Sequence, residues 1–431
     1  MTTPPTGDSP ASQDRPALGR LLAADPADFA ERSWGTTPTH VPHTSRGDDT
    51  FTDLFSLDAV DELLTHRGLR TPFLRMAKEG NTLPASRFTR SGGTGAGASD
   101  QVDEDRVRSL FADGATIVLQ GLHRTWPPIA QFARELEADL GHPVQVNAYI
   151  TPPQNQGFSA HYDVHDVFVL QVHGTKHWTL HEPVVAHPLR DQPWDTARDA
   201  VARRAEQDAP FIDAQVEPGD VLYLPRGTIH AAKALGGISA HLTIGVHSWT
   251  PDHVADAALD AVRSRLRDDA RVRANLPLGA RPDDPQVVST TLDELRTALH
   301  EAVDALDAEQ LARSFRTPVR AARRPDPAPP LAQLAAAEGL DADSVVALRG
   351  GLEMGDDPAR PERLHTRLGW FDLDDDARAV VDALQEGARS GVATGTQVGD
   401  APAGRVRVSD LPADLPVVQD LVRRGVVVVA P

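Results

Sequence analysis

The chain has no cysteine. That absence excludes disulfides, thiolate metal sites and cysteine nucleophiles, and it fits a reducing cytoplasm. Any metal must then be held by histidine and carboxylate. Aromatic residues make up only 5% of the chain. No apolar run approaches the ~20 residues of a membrane-spanning helix. Met1 to Pro16 carries neither the basic nor the apolar region of a secretory leader. These absences predict a cytoplasmic protein with no membrane contact. Basic residues are also outnumbered, 43 against 62 acidic, for a formal net charge of -19. Phosphate contacts need a basic surface, so a general nucleic-acid binder is disfavoured, whereas a basic protein or peptide partner is compatible.

What is present is enough for more than one core. At 431 residues and 40% hydrophobic content, two or three domains are expected. Residues 1–16, rich in Pro, Thr, Ser and Asp, read as a disordered N-terminus. Ala17 to Trp34 reads as one amphipathic helix through Leu18, Leu21, Leu22 and Phe29, and a second helix falls within Phe51 to Leu69. Arg90 to Asp105 is Gly- and Ser-rich and reads as a loop. Thr116 to Leu119 reads as a strand and Pro127 to Leu140 as a helix.

The period then shortens to two. Val144 to Ile150 alternates as a strand does. Val167 to Val172 and Lys176 to His181 read as a hairpin turning at Gly174. Gly219 to Pro225 is a further strand, closed by a Pro-Arg-Gly turn, and His241 to Trp249 another. Many short strands joined by turns predict an antiparallel barrel or jelly roll. After Trp249 the helical period returns. Thr250 and Pro251 open one helix, with Val254, Ala258, Val262 and Leu266 as its stripe. Thr291-Leu292-Asp293-Glu294 has a capping-box pattern, followed by Leu295, Leu299, Val303 and Leu306. Such stripes fit intramolecular packing or a homodimer interface. Arg320 to Pro330 reads as a linker. Residues 331–431 mix short helices with strand-like ends at Val417–Leu421 and Val426–Val429. A winged-helix shape there would suggest DNA, but 17 acidic residues against 10 arginines, a net of -7, disfavour it.

The chemistry centres on His161-Tyr162-Asp163. In an extended chain residues i and i+2 share a face, so this imidazole and carboxylate can converge on one metal. His230, just after the Pro-Arg-Gly turn, can supply a third ligand from the next strand. Two histidines and one carboxylate on one face leave open positions, the arrangement of non-haem Fe(II) oxygenases. The i, i+4 pair His161 and His165 lacks the Glu of the helical zinc motif. His241 and His247 are harder to dismiss, though ligation is disfavoured. Lys176 should point inward with Trp178 and Leu180. A buried lysine is costly unless it meets an anion, and the far carboxylate of 2-oxoglutarate is one.

Taken together, the sequence resembles the cupin-type JmjC oxygenases, the ribosomal oxygenases. The resemblance is carried by Asn147-Ala148-Tyr149-Ile150-Thr151-Pro152-Pro153, by Gln156-Gly157-Phe158 before His161-Tyr162-Asp163, and by Phe168-Val169-Leu170-Gln171 with Gly174 and Lys176-His177-Trp178. Gly219-Asp220 through His230, and Ser239-Ala240-His241-Leu242-Thr243, continue it. It implies a mainly β fold with α, a double-stranded β-helix over 17–250. A helical dimerisation region over 251–320 and a winged-helix-like module over 331–431 follow. It implies Fe(II) on His161, Asp163 and His230, with Lys176 pairing to 2-oxoglutarate, and Asn147, Tyr149 and Ser239 lining that pocket. The implied activity is hydroxylation of an unactivated C–H on an Arg or His side chain of a ribosomal protein. Another peptide or a small metabolite is the alternative substrate, and a silent cupin scaffold the alternative role.

Overall fold

The computed structural model describes residues 15–153, 155, 158–322, 324–350, 355–357, 360–366, 369–394 and 404–430. Residues 1–14, and Gln156 and Gly157 of the motif, lie outside them. The chain forms two compact units that divide between Ser248 and Trp249.

The first unit is built on a nine-stranded antiparallel sheet. In chain order the strands are β1 (Thr39–Val41), β2 (Leu74–Lys78), β3 (Asn81–Thr82), β4 (Thr116–Leu119), β5 (Val144–Thr151), β6 (Asp166–His181), β7 (Ile212–Val216), β8 (Val221–Leu224) and β9 (Ile229–Val246). The spatial order is β1-β8-β6-β9-β5-β4-β2-β3, with β7 added to β6. This large curled sheet accords with the jelly roll expected from the sequence. The N-terminal helices, with the Pro127–Leu140 helix, pack Leu18, Leu21, Leu63, Phe132 and Leu136 onto one layer of it.

Two long strands replace the expected hairpin and its neighbours. β6 runs unbroken through Gly174, and β9 pairs beside it along almost its whole length. The register slips between Leu235 and Ala240, so β9 carries extra residues opposite Gly174. Gly174 has φ +61°, and a Cβ on it would lie 2.1 Å from the Ile238 carbonyl oxygen. A glycine that reads as a turn is thus a bulge, where two backbones approach too closely for a side chain. The strands expected at His230 and at His241 are likewise one strand, ending at Val246.

Other expectations for single elements also change. Ala17 to Trp34 is two helices, Pro16–Leu22 and Pro26–Arg32. Pro26 disfavours a helical Asp25, which instead caps the second helix by accepting from Ala27 N at 2.9 Å. The helix expected from Thr291 starts at Pro285, capped by Asp284, and runs to Asp304. Thr291 sits inside it, its hydroxyl spent on the Val287 carbonyl. Val417–Leu421 lies in the helix Leu415–Arg423, while Val427–Val429 is a strand. The expected loop after Arg90 joins two short paired strands, Thr89–Arg90 and Gln101–Val102.

The second unit opens with the helix Pro251–Asp268, which packs against Pro285–Asp304 and Ala308–Ala322. Beyond them Val345–Leu348 lies between Arg405–Arg407 and Val427–Val429 in a small sheet. That sheet shares a separate core, including Val346, Val380, Leu384, Val418 and Leu421, with the helices around it.

Candidate metal centre and anion pocket

His161 and His230 face each other across the backbone. Each donates its N–H to the other's carbonyl, at 3.2 Å and 2.8 Å, so two candidate ligands are neighbours in one ladder. Gly227 N donates to the Asp163 carbonyl at 3.0 Å, fastening the Pro-Arg-Gly turn to the same segment. The ligand atoms of His161, Asp163 and His230 lie within 4.8 Å of one another, with His230 Nε2 at 3.8 Å from Asp163 Oδ2. His161 Nδ1 donates to the Ser159 carbonyl at 2.8 Å and His230 Nδ1 to the Thr228 carbonyl at 3.0 Å. A carbonyl can only accept, so each Nδ1 carries a proton and Nε2 is the nitrogen left for a metal. The donor set is thus two imidazole Nε2 atoms and a carboxylate, which suits a divalent iron-type ion.

Charge follows the same logic. Burial alone would raise the Asp163 carboxyl, but His165, His230 and His161 outweigh it and keep it below the usual carboxylate range. Burial, reinforced by His161, lowers His230 to about 4. Both groups are therefore in the ligating protonation state near neutrality.

The triad lies in a cavity of about 580 Å³, counting its open mouth, whose wall includes Tyr149, Thr151, Phe158, Lys176, Trp178 and His241. Lys176 is 3% exposed. Its Nζ donates to Thr151 Oγ1 at 3.1 Å and lies 3.3 Å from His241 Nδ1. Desolvation pushes the lysine down to about 7. His241 stays neutral, driven well down by burial and by Lys176, and its ring stacks on Tyr149 at 5.1 Å. Burial raises the Tyr149 phenol to about 12, so it remains protonated. The Trp178 indole N–H is buried without a partner among the described residues. A cationic head held only by neutral groups, beside an unused donor, fits an anionic ligand.

The structure thus brings His161, Asp163, His230, Lys176 and Tyr149 to one cavity. Asn147 and Ser239 fall outside its wall. Asn147 accepts from Gly121 N at 3.1 Å, and Ser239, at the β9 bulge, is bound by the Gln171 amide at 2.9 Å. Their directly paired neighbours, Thr243 and Thr151, line the cavity instead. Sequence reasoning missed Thr151, Thr243 and the part played by His241. Counting by two from Tyr149, and on from His241 to Thr243, would have found them. His165 stacks on His247 at 5.2 Å and lies outside the triad.

A curled antiparallel sheet bearing a two-histidine, one-carboxylate centre defines a jelly-roll protein built for a divalent metal. Residues 123–254 match the JmjC domain family, so the chain carries a JmjC domain, and ribosomal oxygenases are among the proteins it is similar to. It is 36% identical over 168 residues to "Ribosomal oxygenase 2" of Mus musculus, covering 38% of this chain and 34% of that protein. It is 29% identical over 303 residues to "Ribosomal oxygenase 1" of Gallus gallus, covering 66% and 46%. The matches therefore span between a third and a half of those relatives' lengths. Among solved structures it is similar to YcfD, a ribosomal oxygenase from Escherichia coli, in complex with cobalt and 2-oxoglutarate. There the TM-score is 0.52 at 18% identity, covering 95% of this chain and 99% of that one, a likeness of fold.

Proposed function

We propose that the chain is an Fe(II)- and 2-oxoglutarate-dependent oxygenase that hydroxylates an unactivated C–H of a protein side chain, Arg or His of a ribosomal protein. The observation that carries this reading is the pairing, in one cavity, of the metal-ligating triad with a buried lysine that lacks an anion. His161 and His230 present Nε2 and Asp163 an oxygen to the ion. Lys176 takes the far carboxylate of 2-oxoglutarate, held at that spot by Thr151 and His241. Phe158, Val167, Val169 and Trp178 shield the interior from water. When bound, iron and 2-oxoglutarate would activate dioxygen, one atom of which enters the C–H bond while the other leaves in succinate as 2-oxoglutarate loses carbon dioxide. The names of the similar proteins, and the cobalt and 2-oxoglutarate held by the Escherichia coli protein, support the assignment.

The rest of the reading concerns the whole molecule. The helical region at 251–320 is a homodimer interface. In support, Val288, Leu292, Leu299 and Val303 recur along the helix Pro285–Asp304, each at least 38% exposed. The module at 331–431 is winged-helix-like and, at a net charge of -7, is not used for nucleic acid. A net charge of -19 suits a basic protein substrate, and the absence of cysteine suits the cytoplasm. No helix among the described residues is long and apolar enough to cross a membrane. The decisive experiment compares intact masses of ribosomal proteins from wild-type and deletion cells. One ribosomal protein should be lighter by a single oxygen in the deletion strain, and an unchanged set would sink the ribosomal substrate.

A further inference from the structure

Asp166 opens β6, three residues beyond Asp163, and is 1% exposed. Its Oδ1 accepts from Arg226 N at 2.8 Å, four residues before His230. Its Oδ2 accepts from the Tyr223 hydroxyl at 3.3 Å and from the Ser248 hydroxyl at 3.2 Å. The Tyr223 hydroxyl in turn accepts from Gly35 N at 2.7 Å. One carboxylate thus joins the start of β6, the Pro-Arg-Gly turn, β8 and the end of β9. Its three donors are a backbone N–H and two hydroxyls, none of them charged. Burying a carboxylate on neutral donors is an expensive way to gain stability that an apolar residue could supply more cheaply. It is a good way to fix one backbone segment against another, because the acceptor positions are rigid and directional.

We infer that Asp166 is a positioning residue for the metal centre. It clamps the turn that delivers His230 to the segment that carries His161 and Asp163, and so sets the separation of the three ligands. The two backbone ties, between His161 and His230 and from Gly227 N to the Asp163 carbonyl, fix the ligands' own register. Asp166 secures the far end of the turn, so that it cannot pivot about those ties. Gly227 allows the clamp to close. It has φ +91°, and a Cβ there would lie 2.7 Å from the Val185 carbonyl oxygen.

The inference rests on the triad being a metal centre, and cobalt(II) binding to the full chain separates the two. Titration of the wild-type chain, followed by its visible bands, should show one tight site; no such site would defeat the metal-centre reading itself. Given that site, Asp166→Ala should bind cobalt(II) roughly 10- to 100-fold more weakly, with shifted bands, as outer-shell substitutions do. Asp166→Asn keeps an oxygen for Arg226 N and should recover most of the affinity. Asp166→Glu keeps the charge but displaces the oxygen, and should bind weakly; it also decides the matter if the alanine variant does not fold. A folded alanine or glutamate variant with wild-type affinity and bands would leave Asp166 a purely structural residue. An asparagine variant as weak as alanine would show that charge, not acceptor position, is what counts. Either result overturns the inference.

Discussion

At the scale of single residues the anion pocket makes the sharpest statements. Moving Lys176 from its ordinary value to about 7 corresponds to about 5 kcal/mol disfavouring its charged form. The sign is clear. Between about pH 7 and the usual lysine range the unfolded chain holds the proton and the folded one does not. Stability therefore rises with pH across that window, and below it the full cost is present. Ligand binding goes the other way, since an anion needs the ammonium and must draw in a proton above pH 7. Affinity for 2-oxoglutarate should fall by up to about tenfold per pH unit there, read by calorimetry at several pH values. Lys176→Met should weaken 2-oxoglutarate roughly 10- to 100-fold at pH 7 and flatten that slope. A slope unchanged in the variant would assign the proton elsewhere. His161→Ala should abolish succinate formation while the chain remains folded.

At the scale of elements, some of the molecule was legible in the sequence and some was not. The triad could be read because each ligand stands in a short, stiff context: an extended His-x-Asp and a Pro-Arg-Gly turn. Lys176 could be read because a charge two residues before Trp178, in line with it and with Leu180, breaks an inward-facing alternation. Gly174 reads as a hairpin turn in the sequence and is a bulge in the fold. A lone glycine marks either a turn or a place where another backbone comes too near, and only the partner strand, sixty residues on, decides. The sequence places the start of the helix Pro285–Asp304 too late because Thr291 offers a capping pattern, while Asp284-Pro285 offers an equally good cap and first turn. Asn147 and Ser239 lie on the strands the resemblance implied, but their side chains are spent on Gly121 and Gln171. The bulge is testable. Gly174→Ala forces a left-handed backbone on alanine and a clash with Ile238, and should cost about 2 kcal/mol or more in denaturant unfolding.

The whole molecule poses a question of assembly. The fully buried residues of Pro285–Asp304 are Ala298 and Ala302, with Leu295 half-buried beside them, while the larger Leu292, Leu299 and Val303 stand in the open. A helix that fully buries only small residues and shows Leu292, Leu299 and Val303 fits a second layer, which under the proposed dimer is another copy. Light scattering should give twice the chain mass, and Leu292→Glu with Leu299→Glu should shift it toward the monomer. A wild-type chain that runs as a monomer at all concentrations would refute the dimer.

The ladder between His161 and His230 has a further consequence. Many small metal-binding domains gather their ligands only as the ion arrives, so a chelator unfolds them. Here the protein's own hydrogen bonds keep the two imidazoles opposed and their tautomers set. Stripping the ion should cost only the stability that binding adds by mass action, and far-ultraviolet circular dichroism should hardly change. A cell short of iron would then keep a stock of folded, idle protein that returns to work when the metal does, with no new synthesis.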